Sequence, residues 1–251
     1  MRPGHHAPDG YDQSSFPRFA VTVDIVILTM FQATLQVLLV RRRADPYKGA
    51  WALPGGFKRP DETLDEAAIR ELREETGVKA PKHLTQFAAY GDPGRDPRTN
   101  VVTVAYLAVT PDVGQILAGT DADEARLWSV AEAVAELELA FDHDQILADA
   151  IEQAARQLEQ SDLATAFVGP TFTISELKSV YEELWEEEID APNFRRQLFV
   201  EAPSPASYVA PTGERRPSSP KGGRPAELYR AGPAWKTEPP LRRPRKRRPE
   251  K

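Results

Sequence analysis

The chain has 251 residues, 32 Lys and Arg against 38 Asp and Glu, and no cysteine. That length accommodates one large or two modest domains, and the missing cysteines exclude a disulfide framework and a thiolate zinc site. No apolar run suits a signal peptide or a membrane span, so a soluble, cytoplasmic chain with no membrane partner is expected.

The net charge of −6 hides a division. Residues 1–192 hold 17 Lys and Arg against 33 Asp and Glu, net −16, whereas residues 193–251 hold 15 against 5, net +10. An acidic body with a basic end suggests that the end meets a polyanion.

Residues 1–18, rich in Pro, Gly, His and Ser, read as a flexible arm, in which His5 and His6 have no partner cluster to make a metal site. AVTVDIVILTM from Ala20 and LQVLLVRR from Leu35 are β-branched runs broken at Phe31–Thr34, the pattern of a hairpin. Arg41, Arg42 and Arg43 close the second strand, either as an edge-strand charge cluster or as a phosphate contact. Ala50–Leu53 is a short strand ending at Pro54-Gly55-Gly56, where glycines let the backbone turn and approach a ligand closely.

Next comes the densest chemistry. Thr63 and Asp65 start a helix that runs to Thr76, and Gly77 ends it. Glu71, Glu74 and Glu75, at i, i+3 and i+4, share one face. Three like charges together are costly without a cation among them, and oxygen-ligated Mg²⁺ or Mn²⁺, which also hold substrate phosphates, suit the place. Ala68, Ile69 and Leu72 give the helix an apolar side to dock. The plainer alternative is a solvated acidic helix supported by the Arg70–Glu74 pair.

LTQFAAY (84–90) and VVTVAYLAV (101–109) are further strands, joined by GDPGRDPRTN (91–100). That loop is either a turn-rich connector or, through Arg95 and Arg98, a pyrophosphate contact. Ala125–Trp128 reads as a last strand, followed by helices over Ser129–Leu137 and Asp142–Leu158, the second capped by Asp142. His143 at its start fits a cap or packing residue better than a catalyst. These elements make an α+β sandwich over 19–160.

Residues 161–170 read as a linker. Thr173-Ile174-Ser175-Glu176 is a capping box opening ELKSVYEELW, and Asp190-Ala191-Pro192 starts a second helix. In NFRRQLF, Phe194 and Leu198 face inward, which turns Arg196 outward with Asn193 beside it and Arg195 and Gln197 on the flanks. Asn, Gln and Arg read base edges. SYVAPTGE and AELYR then pair as a ribbon, with Arg215, Arg216, Lys221 and Arg224 in the loop between them. Two helices and a basic hairpin over 171–231 form a winged helix-turn-helix, or else a small dimerisation domain with a basic surface. Residues 232–251 read as a basic, disordered tail without a core.

Two resemblances sharpen this. Gly56, Glu62 and Arg70-Glu71-Leu72-x-Glu74-Glu75-x-Gly77-Val78, preceded by Trp51-x-Leu53-Pro54-Gly55, resemble a complete Nudix box over 56–78. With GDPGRDPRTNVVTVAYLAV, the FDH before the last Nudix helix, FTISELKSVYEEL, NFRRQLF and GRPAELYR, the chain over 19–231 resembles the Nudix-related transcriptional regulators of NAD metabolism, the NrtR type. The resemblance implies a Nudix α/β/α sandwich followed by a winged helix-turn-helix. It implies a homodimeric repressor of NAD biosynthesis or salvage genes on a palindromic operator in double-stranded DNA, released by ADP-ribose or a related nucleotide. Carried over, Glu71, Glu74 and Glu75 hold divalent ions with Glu62 in support. Glu74, Glu75 and Arg70 serve catalysis if hydrolysis is retained. Arg42, Gly55, Gly56, Asp92, Arg95 and Arg98 line the ligand site. Asn193, Arg195, Arg196, Gln197, Arg215, Arg216, Lys221 and Arg224 face DNA. The alternative is a Mg²⁺-dependent ADP-ribose pyrophosphatase whose C-terminal domain serves dimerisation.

Overall fold

A computed structural model describes residues 12–78, 81–114, 116, 122–199, 206–217 and 225–244. His5, His6, Lys221, Arg224 and the end of the basic tail lie outside the described residues.

The acidic body is built on a seven-stranded sheet. Strand β1 (Ala20–Phe31) and β2 (Thr34–Arg42) form the expected hairpin, turning at Gln32 and Ala33, both with positive φ (51° and 64°). Short strands β3 (Trp51–Ala52) and β4 (Gly55–Phe57) lie on β2 and β1 respectively. Beyond helix α1 (Leu64–Thr76) come β5 (His83–Tyr90), β6 (Val101–Val109) and β7 (Ala122–Ser129). β6 runs parallel to β1 over its whole length, and β7 closes against β2. β1 is buried from Thr22 to Thr29, because its alternate side chains meet different layers. Val23, Ile25 and Ile27 pack toward Ala67, Ala68 and Leu72 of α1. Val26 and Leu28 pack with Ile146, Leu147 and Ala150 of α3 (His143–Gln157), which follows the short α2 (Val130–Glu136). Ile69, expected on the docking side of α1, is 45% exposed; Ala67 takes that place.

The expected linker is not a free connector. Within 161–170 a short helix, α4 (Leu163–Ala166), forms, and residues 163–168 are buried, with Leu163, Ala164, Phe167 and Val168 in the main core. Their apolar side chains would lose that burial if the segment hung in water. α5 (Ile174–Trp185) starts at the Thr173 capping box, and α6 (Ala191–Leu198) starts at Asp190 with Pro in its first turn. β8 (Val209–Arg216) and β9 (Ala226–Ala231) pair antiparallel, with Phe172 bridged to Tyr229 on the far side of β9. Arg215 and Arg216 therefore stand in a strand, not in the loop.

The two halves share one core. Trp185 Nε1 donates to the Ala155 carbonyl of α3 at 3.0 Å, and the Glu183 carboxylate accepts the Leu35 N–H of β2 at 2.8 Å. The tail, expected to lack a core, returns to α3. Leu241 is 3% exposed within the main cluster, the Arg243 N–H donates to Glu159, and its guanidinium pairs with Glu152 at 2.9 Å. Trp235 stays 58% exposed on this strap. No helix among the described residues is long and apolar enough to cross a membrane.

Candidate functional site

The Nudix-box helix is fixed at both ends. Thr63 and Glu66 exchange their capping bonds, and Gly77, at φ 76°, donates its N–H to the Arg73 carbonyl. Its acid face borders a cavity of about 580 Å³ walled by β1, β4, the 91–100 loop and the start of α3.

Three carboxylates border that cavity in three different states. Glu71 is buried against Gly56 and accepts from Arg70 at 2.6 Å; burial pushes its carboxyl above the ordinary range, and the Arg70 contact opposes that. Glu75 accepts the Gly55 N–H at 2.9 Å. Glu74 is exposed, 3.3 Å from Arg70 and 3.6 Å from Arg59. Arg70 is the cation that the crowded acids need. It spans Glu62, Glu71, Glu74 and the Phe57 carbonyl, which holds it firmly charged. Glu62, expected as a supporting metal donor, lies off the cavity: both its oxygens accept from Arg70, whose bonds hold its carboxyl down at about 2. It secures Arg70 instead.

Among the described residues no group of three or more acidic or histidine side chains already converges as a metal site. The donor chemistry nevertheless fits a hard cation, since Glu71, Glu74 and Glu75 offer carboxylate oxygen to one cavity.

Both glycines border the cavity, as the ligand-approach reading requires, but they do not turn the chain. Gly55 and Gly56 sit in extended β4, paired with Asp24 and Val23, and neither has positive φ. A Cβ on Gly55 would lie 2.2 Å from the Val23 carbonyl oxygen, and one on Gly56 would lie 2.4 Å from the Glu71 carboxylate. Glycine gives room for neighbouring protein here, not a turn.

The 91–100 loop reaches the cavity through Arg95, Asp96 and Arg98, while Asp92 is exposed away from it. The Arg95 side chain is 5% exposed and bridges Asp142 at the start of α3 to Asp24 of β1, at 3.4 Å from the latter. Asp142 occupies the cap position without a side-chain bond to the helix, because its carboxylate is committed to Arg95. Arg42 borders the cavity and donates to the Pro46 carbonyl. His143 is more than a cap. It is 4% exposed, Nδ1 accepts the Leu53 N–H at 2.9 Å, and Nε2 therefore carries the proton, 3.6 Å from Asp24. Burial lowers its pKa and keeps it neutral.

Asp24, Phe57, Arg59, Asp96 and Phe141 also border the cavity. Asp24 had a signal: it is the one charge inside an apolar strand. Phe141 opens the FDH run before the last Nudix helix, and its place on the cavity wall depends on a left-handed turn at φ 60°.

On α6, Phe194 and Leu198 are buried and Arg196 and Gln197 are exposed, as the spacing required. Arg196 donates to the Asn193 side-chain oxygen at 2.7 Å, which sets the two side chains next to each other on the outer face of α6. Arg195 leans back to Glu227 and Tyr229 and ties the helix to β9. Arg215 and Arg216 pair with Glu227 and Glu176, each about half exposed.

A family model of the NUDIX domain matches residues 18–150, and one of the NrtR DNA-binding winged helix domain matches residues 164–231. The chain is 34% identical over 224 residues to the ADPR responsive transcriptional repressor NtrR of Acinetobacter baylyi, covering 88% of this chain and 85% of that one. Shewanella oneidensis NrtR, in a crystal structure complexed with a 27mer DNA, matches with a TM-score of 0.72 and 34% identity over 85% of this chain and 94% of that one. The NUDIX domain of the same Shewanella protein, complexed with ADP ribose, matches with a TM-score of 0.53 and 35% identity over 57% of this chain and 94% of that one. With a Nudix domain over 18–150, an NrtR winged helix domain over 164–231 and a full-length relative at 34% identity, the chain belongs to the NrtR family.

Proposed function

We propose that the chain is a DNA-binding transcriptional repressor of NAD biosynthesis or salvage genes, which lets go of its operator when ADP-ribose fills the cavity between α1 and α3. The observation that carries this reading is the outward pair of Arg196 and Asn193 on a helix whose domain shares a core with the cavity's own wall. A dimerisation module has no use for a solvent-facing Arg, Asn and Gln on its second helix. Glu71, Glu74 and Glu75 are the residues to hold Mg²⁺ or Mn²⁺, and such an ion neutralises the charge of a bound pyrophosphate. Arg70 holds Glu71 and Glu74, and the Gly55 N–H holds Glu75, so that all three acids are kept at the cavity wall.

The protein acts as a homodimer on a palindromic site, with two α6 helices roughly 34–36 Å apart. A second property of the same cavity, hydrolysis of ADP-ribose, is favoured by the complete carboxylate set. Glu74→Gln removes metal-dependent cleavage of ADP-ribose to AMP and ribose 5-phosphate while leaving DNA binding in the absence of nucleotide intact.

A gel shift on the gene's own upstream DNA and on promoters of NAD genes, with and without ADP-ribose, tests the reading. A salt-sensitive shift that ADP-ribose reverses is expected. No shift on any of these fragments overturns it in favour of the pyrophosphatase.

A further inference from the structure

The cavity is lined mostly by charge, yet it holds two aromatic rings, each within cation–π range of an arginine. Phe57 of β4 is 44% exposed, and Phe141 stands in the turn before α3. The Arg98 guanidinium lies 5.2 Å from the Phe57 ring centre and 5.6 Å from that of Phe141, within cation–π range of both. Arg42 lies 4.8 Å from the Phe141 ring, and Tyr47 meets the same ring edge-on at 4.8 Å. Phe141 holds φ 60°, a left-handed conformation that a bulky residue keeps only where its surroundings impose it.

Arg98 is not free to leave. Its Nε and terminal nitrogen donate to the two oxygens of Asp96 at 3.0 and 2.7 Å, and its backbone N–H donates to Asp96 at 2.9 Å. Asp96 is 5% exposed, and the Arg98 bonds hold its carboxyl below the usual range. Swinging Arg98 out to a phosphate would strand that buried carboxylate, a loss that one solvent-exposed ion pair does not repay.

We propose that Phe57, backed by Arg98 and Phe141, is a stacking platform for the nucleobase of the bound nucleotide, and that Arg98 fixes the ring instead of contacting phosphate. The proposal rests on the reading of the cavity as an ADP-ribose site. A base takes the open face of Phe57, while the diphosphate extends toward the acids of α1. Stacking on an aromatic side chain tolerates any base, so the platform supplies affinity for nucleotides as a class. Arg98 is a positioning residue, acting through the ring that it backs.

Calorimetric titration of the full chain in Mg²⁺ tests this with two probes: ADP-ribose, and inorganic pyrophosphate, which has no base. Phe57→Ala lowers ADP-ribose affinity by about 5- to 100-fold and leaves pyrophosphate affinity unchanged. Phe57→Trp restores ADP-ribose binding. Arg98→Lys keeps the charge but loses the planar fork, and it weakens ADP-ribose while sparing pyrophosphate. Equal losses on both probes would place Arg98 on phosphate and overturn the proposal, as would unchanged ADP-ribose affinity in Phe57→Ala. A wild-type chain that binds pyrophosphate but not ADP-ribose would sink the ADP-ribose reading itself, a separate outcome.

Discussion

Two adjacent glycines, each replaced by alanine, separate damage to the site from damage to the fold. In Gly56→Ala the new methyl lies 2.4 Å from one Glu71 oxygen and 2.7 Å from its carboxyl carbon. Comfortable heavy-atom contact begins near ~3.5 Å, so the carboxylate must retreat by about 1 Å. The same oxygen accepts from Arg70 at 2.6 Å, and retreat pulls that bond apart. Overpacking of this kind costs about 1–3 kcal/mol. In a chain of this size each kcal/mol lowers Tm by roughly 2–4 °C. A side-chain end gives way, so the fold survives while the carboxylate set is displaced. In Gly55→Ala the methyl meets the Val23 carbonyl oxygen at 2.2 Å, and backbone inside a sheet cannot retreat. β4 must then leave β1. Thermal melts and ADP-ribose calorimetry in Mg²⁺ read both variants. Gly56→Ala should show a modest Tm loss with an affinity loss of tenfold or more, and Gly55→Ala the larger Tm loss. Wild-type ADP-ribose affinity in Gly56→Ala would refute the reasoning, because Glu71 would then not need its observed place.

Arg196→Ala should weaken binding to a specific operator by ~1–3 kcal/mol and relax discrimination at one base position, measured by fluorescence anisotropy at fixed salt; unchanged affinity would remove Arg196 from the reading face. Leu241→Ala should destabilise the fold by about 2–5 kcal/mol in a denaturant melt, since the strap buries that side chain in the main core; a change within experimental error would mean that the strap does not pack there. His143 gives a pH prediction. Its folded pKa is depressed, so the unfolded chain binds the extra proton first and stability falls as pH drops below about 6.5. His143→Asn, whose side-chain oxygen can accept the Leu53 N–H, should flatten that limb in pH-dependent melts; an unaltered slope would assign it to other groups.

What the sequence revealed was what period and spacing encode. The hairpin, the box helix with its caps, and the inward Phe194 and Leu198 of α6 all follow from local chemistry, and the structure has each of them. What it concealed depended on distant partners. Whether the Asp142 carboxylate caps its helix or meets Arg95 is decided by a loop some fifty residues upstream, about which helix propensity is silent. Gly55 and Gly56 looked like turn residues because sequence cannot show Val23 and Glu71 filling the space where a Cβ would stand. The linker and the tail were misjudged for a related reason. Composition shows Leu163, Phe167 and Leu241 as a few apolar residues among polar ones, but a docking surface on α3 and α5 makes them core. Glu62 matched its motif position, yet its oxygens face Arg70, an orientation that spacing cannot give.

Any coupling between the cavity and α6 is reciprocal. Operator affinity should be measured with and without a saturating non-hydrolysable ADP-ribose analogue, and the analogue's affinity with and without saturating operator, on the unaltered chain at one salt concentration. Both dissociation constants should rise by the same factor, about 5–150-fold. A factor of one in either direction would mean that the nucleotide and the duplex ignore each other, which contradicts a ligand-released repressor.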